Sequence, residues 1–88
     1  MKYSVYLIVT KTKNKHISYV GYTNNLKKRV NLHNTGKGAK FTKGRRWKLI
    51  YSKDYLSKKK AMKEEYKLKK NYKLKSFIKK KYMLNDKI

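Results

Sequence analysis

Five side chains of this sequence could together hydrolyse a phosphate ester: Tyr6, Tyr19, Arg29, His33 and Glu65. An arginine guanidinium is planar and can hold a phosphate through two hydrogen bonds while negative charge develops on it. A tyrosine hydroxyl or a histidine ring can orient or deprotonate an attacking water. A glutamate can hold Mg²⁺, which keeps several waters and takes the substrate phosphate as a further ligand. These residue types therefore indicate metal-assisted attack of water on a phosphate.

Glu65 is unusual because acids are scarce in this chain. Only 4 of the 88 residues are Asp or Glu, against 27 Lys and Arg, so the formal net charge is +23. Glu65 falls on the apolar face of a predicted helix, where an ionised carboxylate needs a cation beside it. That cation can be a lysine in an ordinary ion pair or a magnesium ion in a functional site. The neighbouring Glu64 is predicted to point about 100° away, toward solvent.

Arg29 and His33 lie one helical turn apart on the same predicted face. The chain has 24 Lys and only 3 Arg, so an arginine here suggests a need for the planar fork that lysine lacks. A histidine on a helix face is more often structural than functional, and in a protein with nine Tyr most tyrosines belong to the core. Structural roles therefore stay open for His33, Tyr6 and Tyr19.

The composition predicts a polyanionic partner, because a charge of +23 exceeds what solubility requires. Nucleic acid is the first candidate and a membrane surface the second. A lysine-rich composition with many Tyr, Asn and Ile is also typical of an AT-rich genome. The absence of Cys excludes disulfides and Cys-based zinc sites. No apolar run is long enough to span a membrane and no signal-peptide core is visible, so a cytoplasmic protein is expected.

Three runs of β-branched and aromatic residues predict strands. Residues 3–10 and 16–22 are joined by a short polar segment, 11–15, and so predict an antiparallel hairpin. Asn14 can take the left-handed conformation that a turn favours. Residues 46–52 predict a third strand with Trp47, Leu49 and Tyr51 on one face.

The first predicted helix covers residues 25–35. Thr23 and Asn24 are its N-cap candidates, and Gly36 follows its last turn, where a left-handed glycine often ends a helix. It carries Arg29 and His33 on the face of Leu26 and Val30.

A second helical segment covers 58–71 and continues helically through 73–84. Ser57 can cap it. Its inward stripe is predicted to contain Ala61, Glu65, Leu68 and Tyr72, flanked by Met62 and Tyr66. The later apolar face contains Leu74, Phe77, Ile78 and Tyr82.

A basic loop over residues 36–46 contains three of the four glycines. Its length favours a functional loop over a bare connector, although an ordinary solvated loop has the same composition. Five of its side chains are candidate phosphate ligands: Lys37, Lys40, Lys43, Arg45 and Arg46. Phe41 or Trp47 could stack on a base.

The order of these features resembles the GIY-YIG nuclease family. The residues that carry the resemblance are Ser4-Val5-Tyr6, Tyr19-Val20-Gly21, Arg29, His33 and Glu65. Within the family, the chain is similar to small single-domain proteins related to the N-terminal domain of the excision-repair nuclease C subunit. The resemblance covers about residues 3–70. The chain departs from the pattern at Ser4, where the first motif has a glycine, and in having no proline.

This resemblance implies an α/β fold of α+β type, with a three-stranded antiparallel sheet flanked by helices and the site on one sheet face. The family hydrolyses DNA phosphodiesters with one divalent metal, Mg²⁺ or Mn²⁺. Carried over, Tyr6 and Tyr19 help to set up the attacking water and Arg29 stabilises the phosphate. Glu65 matches the metal-binding glutamate, and His33 matches a histidine found four residues after the arginine in part of the family.

The resulting hypothesis is a single domain over residues 1–88 that is a metal-dependent endonuclease acting on DNA, in repair or recombination. DNA would be recognised by structure rather than by sequence, and a partner protein could supply specificity. The alternative is a nucleic-acid-binding protein on the same fold with weak or no cleavage. A small ribosome-associated protein would explain the charge but not the ordered motifs.

Overall fold

The computed structural model describes residues 2–12 and 15–86, with side chains as far as Tyr82. Asn14, with its predicted turn conformation, lies outside the described residues. The elements follow one another as β1 (Tyr3–Thr12), β2 (Lys15–Thr23), α1 (Leu26–Asn34), a 3₁₀ turn (Lys40–Thr42), β3 (Lys48–Tyr55), α2 (Lys58–Lys70) and α3 (Tyr72–Asp86).

The three strands form one antiparallel sheet in the order β2-β1-β3. The prediction of an α+β fold with a three-stranded antiparallel sheet is thus confirmed. Strand β1 lies in the centre and is buried from Ser4 to Thr10, because it has a neighbour on each edge and a covered face on each side. The extent of the domain, residues 1–88, stays a prediction.

Side chains of β1 alternate between two apolar clusters, as expected for a strand covered on both faces. Val5 and Leu7 pack with Val20 of β2 and with Ala61 and Leu68 of α2. On the other face, three buried residues pack with side chains of β2 and α1: Tyr6, Ile8 and Trp47. The sheet thus separates an α2 face from an α1 face.

The N-cap of helix α1 lies one residue after the later of its two predicted N-cap residues. Asn25 is the N-cap, and its side chain accepts a hydrogen bond from the Lys28 N–H at 3.2 Å. The prediction of Thr23 or Asn24 as N-cap is wrong, because Thr23 still belongs to β2 and its hydroxyl accepts from the Asn25 N–H at 3.1 Å.

Gly36 ends α1 in the predicted left-handed conformation, with φ of +80°. The Gly36 N–H donates to the His33 carbonyl at 3.3 Å, and the Lys37 N–H donates to the Leu32 carbonyl at 2.9 Å. This pair of hydrogen bonds is a Schellman motif. It turns the chain directly after His33 and starts the basic loop beside that residue.

Strand β3 departs from the predicted alternation. Leu7 pairs with Tyr51 but Ile8 pairs with Leu49, so Ile50 has no partner on β1 and forms a bulge. The bulge puts Ile50 and Tyr51 against the same cluster, while Leu49 is 37% exposed. Trp47 lies outside the strand and is buried. The prediction that Trp47, Leu49 and Tyr51 share a face is therefore wrong.

The second helical segment is interrupted at Asn71. The Asn71 side chain accepts a hydrogen bond from the Leu74 N–H at 3.0 Å and so caps α3. Tyr72, predicted to lie on the inward stripe, is 78% exposed because the interruption changes the helical phase. Met62, Tyr66, Leu74 and Phe77 are also exposed, and among the described apolar side chains of α3, Ile78 packs against the core. No helix in the described part of the chain is long and apolar enough to cross a membrane.

Candidate active site

Three side chains on the α1 face form a buried chain of hydrogen bonds. Tyr6 Oη lies 2.7 Å from His33 Nε2, and His33 Nδ1 lies 2.8 Å from Thr42 Oγ1. Tyr6 comes from the central strand, His33 from the last turn of α1 and Thr42 from the 3₁₀ turn in the basic loop. Both ring nitrogens of His33 are therefore occupied by protein groups.

Burial determines the protonation states of Tyr6 and His33. Tyr6 is 1% exposed, and His33 and Thr42 are fully buried. Burial, assisted by the nearby Arg29 charge, lowers the pKa of His33 below its ordinary value, so the ring is neutral at neutral pH. Burial raises the pKa of Tyr6, against an opposing effect of Arg29, so the phenol keeps its proton. A protonated phenol thus faces a neutral imidazole, an arrangement ready for proton transfer.

Two glycines leave space for the rings of Tyr6 and His33. Gly21 pairs with Tyr6 in the sheet, and a Cβ at Gly21 would lie 2.6 Å from Tyr6 Cζ. A Cβ at Gly38 would lie 2.9 Å from His33 Cε1. Both distances are shorter than atoms tolerate, so any larger residue would displace the ring. The glycine of the second motif therefore makes space for the tyrosine of the first.

Arg29 stands beside the Tyr6 hydroxyl, where its charge opposes the rise in the pKa of Tyr6. Its Nε is buried and has no hydrogen-bond partner among the described residues. An unpaired buried donor of this kind costs free energy and indicates a site for an anion. Arg29 also lines an open pocket together with Tyr22, Asn24 and Lys58, which contains no acidic side chain among the described residues.

Tyr19 connects the hydrogen-bonded chain to the basic loop. Its ring lies edge-on to His33 at 5.1 Å between centroids and stacks on Phe41 at 6.1 Å. Phe41 is half exposed and carries the Arg45 guanidinium over its ring at 5.6 Å. Phe41 can thus meet a base. Trp47 cannot, because it is buried and its Nε1 donates to the Thr42 carbonyl at 2.9 Å.

Glu65 lies on α2 between the buried Ala61 and Leu68. Its side chain is 17% exposed, and Oε1 lies 3.5 Å from Nζ of Lys69, which is more than half exposed. After burial and the effects of Arg29 and Tyr19, the Glu65 charge also contributes to raising the pKa of Tyr6, so the carboxylate lies near enough to influence that hydroxyl.

Glu64 is less exposed than the sequence predicts. Its side chain is 22% exposed because Lys60 and Lys67 cover it, with Nζ atoms 3.5 and 3.2 Å from Oε2. Both lysines are more than half exposed, so Glu64 forms its ion pairs at the surface of α2. The hydrogen bond and charge of Lys67 hold the pKa of Glu64 below its ordinary value.

The basic loop spreads its cations over the surface next to the hydrogen-bonded chain. Four of them are exposed and Arg45 is partly so: Lys37, Lys40, Lys43, Arg45 and Arg46. Arg45 and Arg46 also line a wide pocket beside Trp47, at the end of β1 opposite to the pocket of Arg29. The loop thus provides a continuous positive surface for a polyanion.

Two polar residues of this site, Thr42 and Asn34, belong to the ordered set of residues that resembles the family, but the sequence predicts no role for them. Thr42 is a single threonine in a loop without periodicity, yet it is fully buried against His33. Asn34 accepts a hydrogen bond from the Trp47 N–H and donates to the Trp47 carbonyl at 3.1 Å, which closes the loop onto α1. An asparagine at a helix end or a threonine in a loop looks the same in sequence whether it faces water or the core.

Comparison with known proteins gives one family for most of the chain. The model of the GIY-YIG catalytic domain matches residues 2–82. A UPF0213 protein of Oceanobacillus iheyensis is 52% identical over 50 residues, which are 56% of this chain and 58% of that protein. A UPF0213 protein of Staphylococcus haemolyticus is 45% identical over 62 residues, 69% of this chain and 74% of that protein.

A solved structure is also similar. The solution NMR structure of a UPF0213 protein from Bacillus halodurans is 33% identical, and the match covers 90% of this chain and 84% of that one with a TM-score of 0.48. In five of the matching UPF0213 proteins, the chain spans only 50–58% of the relative's own length.

Proposed function

Since the chain belongs to the GIY-YIG family of nuclease catalytic domains, we propose that it is a divalent-metal-dependent endonuclease that hydrolyses DNA phosphodiester bonds. The observation that carries the proposal is the buried Tyr6–His33 hydrogen bond beside a buried Arg29 donor without a partner in the described structure. A proton acceptor and an anion site next to each other are what the hydrolysis of a phosphodiester requires.

The proposed reaction begins with a water placed between the Tyr6 hydroxyl and the scissile phosphate. As the water oxygen attacks phosphorus, one of its protons passes to Tyr6 Oη while the phenolic proton passes to His33 Nε2, and the bond from phosphorus to the leaving nucleotide oxygen breaks, with that oxygen taking a proton from solvent water. His33 thus acts as the base through Tyr6, since both of its nitrogens contact protein groups. The phosphate charge that arrives beside Arg29 favours the imidazolium that forms. Tyr19, edge-on to the His33 ring, helps to position the water.

Arg29 would bind the developing negative charge on the phosphate. Its Nε already lacks a partner in the described structure, so a phosphate oxygen would satisfy a donor that folding leaves unpaired. The guanidinium presents two parallel N–H groups, which match two oxygens of a phosphate in the transition state. An interaction that strengthens as charge develops raises the rate of the chemical step.

The metal ligand in this proposal is Glu65. The described residues contain no group of three acidic or histidine side chains able to hold a metal, so Glu65 would act with phosphate and water ligands alone. Mg²⁺ and Mn²⁺ fit such a set, and the exposed Lys69 can swing away from the carboxylate. When bound, the ion would supply Lewis acidity and lower the pKa of a coordinated water.

DNA is the proposed substrate because of the charge around the site. The cations of the basic loop can follow a phosphate backbone, and Phe41 offers a half-exposed ring to an unstacked base. None of these contacts reads base edges, which supports recognition of DNA structure rather than sequence. Repair or recombination is the proposed setting, and a partner protein could direct the chain to its substrate.

The second candidate function is nucleic-acid binding with weak or no cleavage. The ion pair between Glu65 and Lys69 favours it, because a carboxylate that keeps its lysine holds no metal. Binding alone would still weaken steeply with salt, with a slope of log affinity against log salt of about −5 if six phosphates are engaged.

A cleavage assay on single-stranded, duplex, branched and nicked DNA, with and without Mg²⁺ or Mn²⁺, separates the two candidates. Metal-dependent cleavage of at least one substrate supports the endonuclease. Salt-sensitive binding without cleavage of any substrate supports the second candidate. Binding that does not change with salt would contradict both.

A further inference from the structure

We infer that Thr42 is a positioning residue of the proposed nuclease site: its hydroxyl holds the proton of His33 on Nδ1 and so presents Nε2 to Tyr6 as a proton acceptor. This inference rests on the proposed function for its catalytic meaning. The assignment of the proton itself rests only on the contacts of Thr42. It explains why a loop threonine is fully buried in so basic a segment.

The hydrogen bonds around Thr42 favour one placement of protons. A threonine hydroxyl has a single proton to donate. Thr42 Oγ1 lies 2.9 Å from the Ala39 carbonyl oxygen, which also accepts the Thr42 N–H at 3.1 Å and can only accept, and in the inferred placement the hydroxyl proton points there. Oγ1 also accepts the Ala39 N–H at 3.1 Å. Toward His33 Nδ1, at 2.8 Å, Oγ1 can then only accept, and Nδ1 must carry the hydrogen.

This placement determines what Tyr6 meets at the other side of the ring. A neutral imidazole with its hydrogen on Nδ1 has a lone pair on Nε2. Tyr6 therefore donates its hydroxyl proton to Nε2 across 2.7 Å. In the other tautomer, a hydrogen on Nε2 would face Tyr6, and the Nδ1 lone pair would face an oxygen whose proton is already used. The ring would then have no free lone pair for the phenolic proton.

The surroundings of His33 leave little alternative to Thr42 as the partner of Nδ1. The ring is fully buried, and Gly38 lies against it so closely that a methyl group would clash. The other groups that face the ring are Tyr6 on β1, Tyr19 on β2 and Arg29 on α1, and none of them bonds Nδ1. The lowered pKa of His33 keeps the ring neutral, so the choice of tautomer matters.

A purely structural role for Thr42 is the competing explanation, because its hydroxyl also closes the turn with Ala39. The two explanations differ in the tautomer of His33. A structural threonine would affect only the stability of the loop. A positioning threonine determines which ring nitrogen carries the hydrogen, which NMR measures directly on ¹⁵N-labelled protein.

The test compares the wild type with Thr42→Val, which keeps the shape and removes the hydroxyl, and with Thr42→Ser, which restores a hydroxyl. Thr35→Val is the matched control, because within the described structure the Thr35 hydroxyl bonds the Leu32 carbonyl at the surface. Imidazole ¹⁵N shifts at about pH 8, where histidine is neutral, report the tautomer. Cleavage rates are measured for the same four proteins across pH.

We expect the wild type, Thr42→Ser and Thr35→Val to carry the His33 hydrogen on Nδ1. Thr42→Val should show a mixture of tautomers and cleave about 10- to 100-fold more slowly, as is usual when the partner that orients a functional histidine is lost. Thr42→Ser should cleave faster than Thr42→Val.

A wild type with its hydrogen on Nε2 would overturn the inference, as would Thr42→Val with an unchanged tautomer and rate. If Thr42→Val does not fold, the wild-type and Thr42→Ser spectra still decide. If the wild type cleaves no DNA, the proposed function fails while the spectra still test the role of Thr42.

Discussion

The two faces of the sheet hold their polar groups in different ways. On the α1 face, Tyr6, His33 and Thr42 are buried and joined by hydrogen bonds of 2.7 and 2.8 Å. On the α2 face, Glu65 has one described partner, the half-exposed Lys69 at 3.5 Å. In the proposed mechanism, folding fixes the position of His33, the proton acceptor, whereas Glu65, the metal ligand, has an ion-pair partner that a metal could replace.

Glu65→Gln should give the largest effect on activity. The amide keeps the shape of the side chain but not the charge that binds a hard dication, so metal-dependent cleavage should be lost. Stability should change by less than about 1 kcal/mol, because the Lys69 pair is at the surface. DNA affinity should be unchanged. Cleavage with Mg²⁺, a binding titration and thermal unfolding measure the three quantities.

Glu64→Gln is the control for this exchange. It removes a neighbouring carboxylate that two lysines cover, and so it should leave cleavage unchanged. Equal cleavage by Glu65→Gln and the wild type, or loss of cleavage in Glu64→Gln instead, would show that the metal ligand is wrongly assigned.

Arg29→Lys should reduce the cleavage rate by about 10²- to 10³-fold, as the loss of one transition-state donor does. Lysine keeps the charge but lacks the planar fork and cannot replace the Nε donor at the same place. Affinity for DNA should change little, since the exchange keeps the net charge at +23. Single-turnover rates and Kd values are the measurements, with Arg46→Lys as a control on the exposed loop. A wild-type cleavage rate in Arg29→Lys would mean that Arg29 has no role in catalysis.

Tyr6→Phe should destabilise the fold by about 1–3 kcal/mol, the usual cost of leaving a buried polar atom without its partner. The atom concerned is His33 Nε2, which loses its hydrogen bond inside the core. Tyr19→Phe should cost less, because no hydrogen bond of the Tyr19 hydroxyl to the described residues supports the core. Denaturant unfolding of both variants compares the two tyrosines. A larger loss of stability in Tyr19→Phe than in Tyr6→Phe would contradict the buried hydrogen bonds that join Tyr6, His33 and Thr42.

Stability should fall as the pH drops below about 6.5, the ordinary pKa of histidine. The folded protein holds the pKa of His33 below that value, so the unfolded chain binds more protons in this window and acid favours unfolding. The effect is the smallest of the four and is read from melting temperatures between about pH 5 and pH 8. His16→Gln, which removes the only other histidine, should keep the slope. A melting temperature that stays constant over this window would mean that His33 is not held neutral.

The sequence alone predicted the structure correctly where one physical role dominates for a residue type. Alternation placed Tyr6 and Val5 on opposite faces of β1, and Gly36 ended α1 as predicted. The helical repeat placed Ala61 and Leu68 in the core. These features depend on periodicity or on a backbone conformation that glycine tolerates best.

The sequence was insufficient where several residues could serve equally well. Thr23, Asn24 and Asn25 are all good caps, and only the length of β2 selects Asn25. The bulge at Ile50 and the interruption at Asn71 change the phase of an otherwise regular pattern. Thr42 shows the same limit in the site, because its importance comes from contacts that a local pattern does not contain.

The basic loop has a consequence for engineering. Its surface carries the cations proposed to contact DNA, while Gly38 and Thr42 on its inner side contact the ring of His33. If the proposed function holds, substrate preference and catalysis therefore depend on the same loop. A loop transplanted from another binding protein would change both at once unless those two inner positions were retained. Diversification libraries should vary Lys37, Lys40 and Lys43 and leave the inner positions untouched.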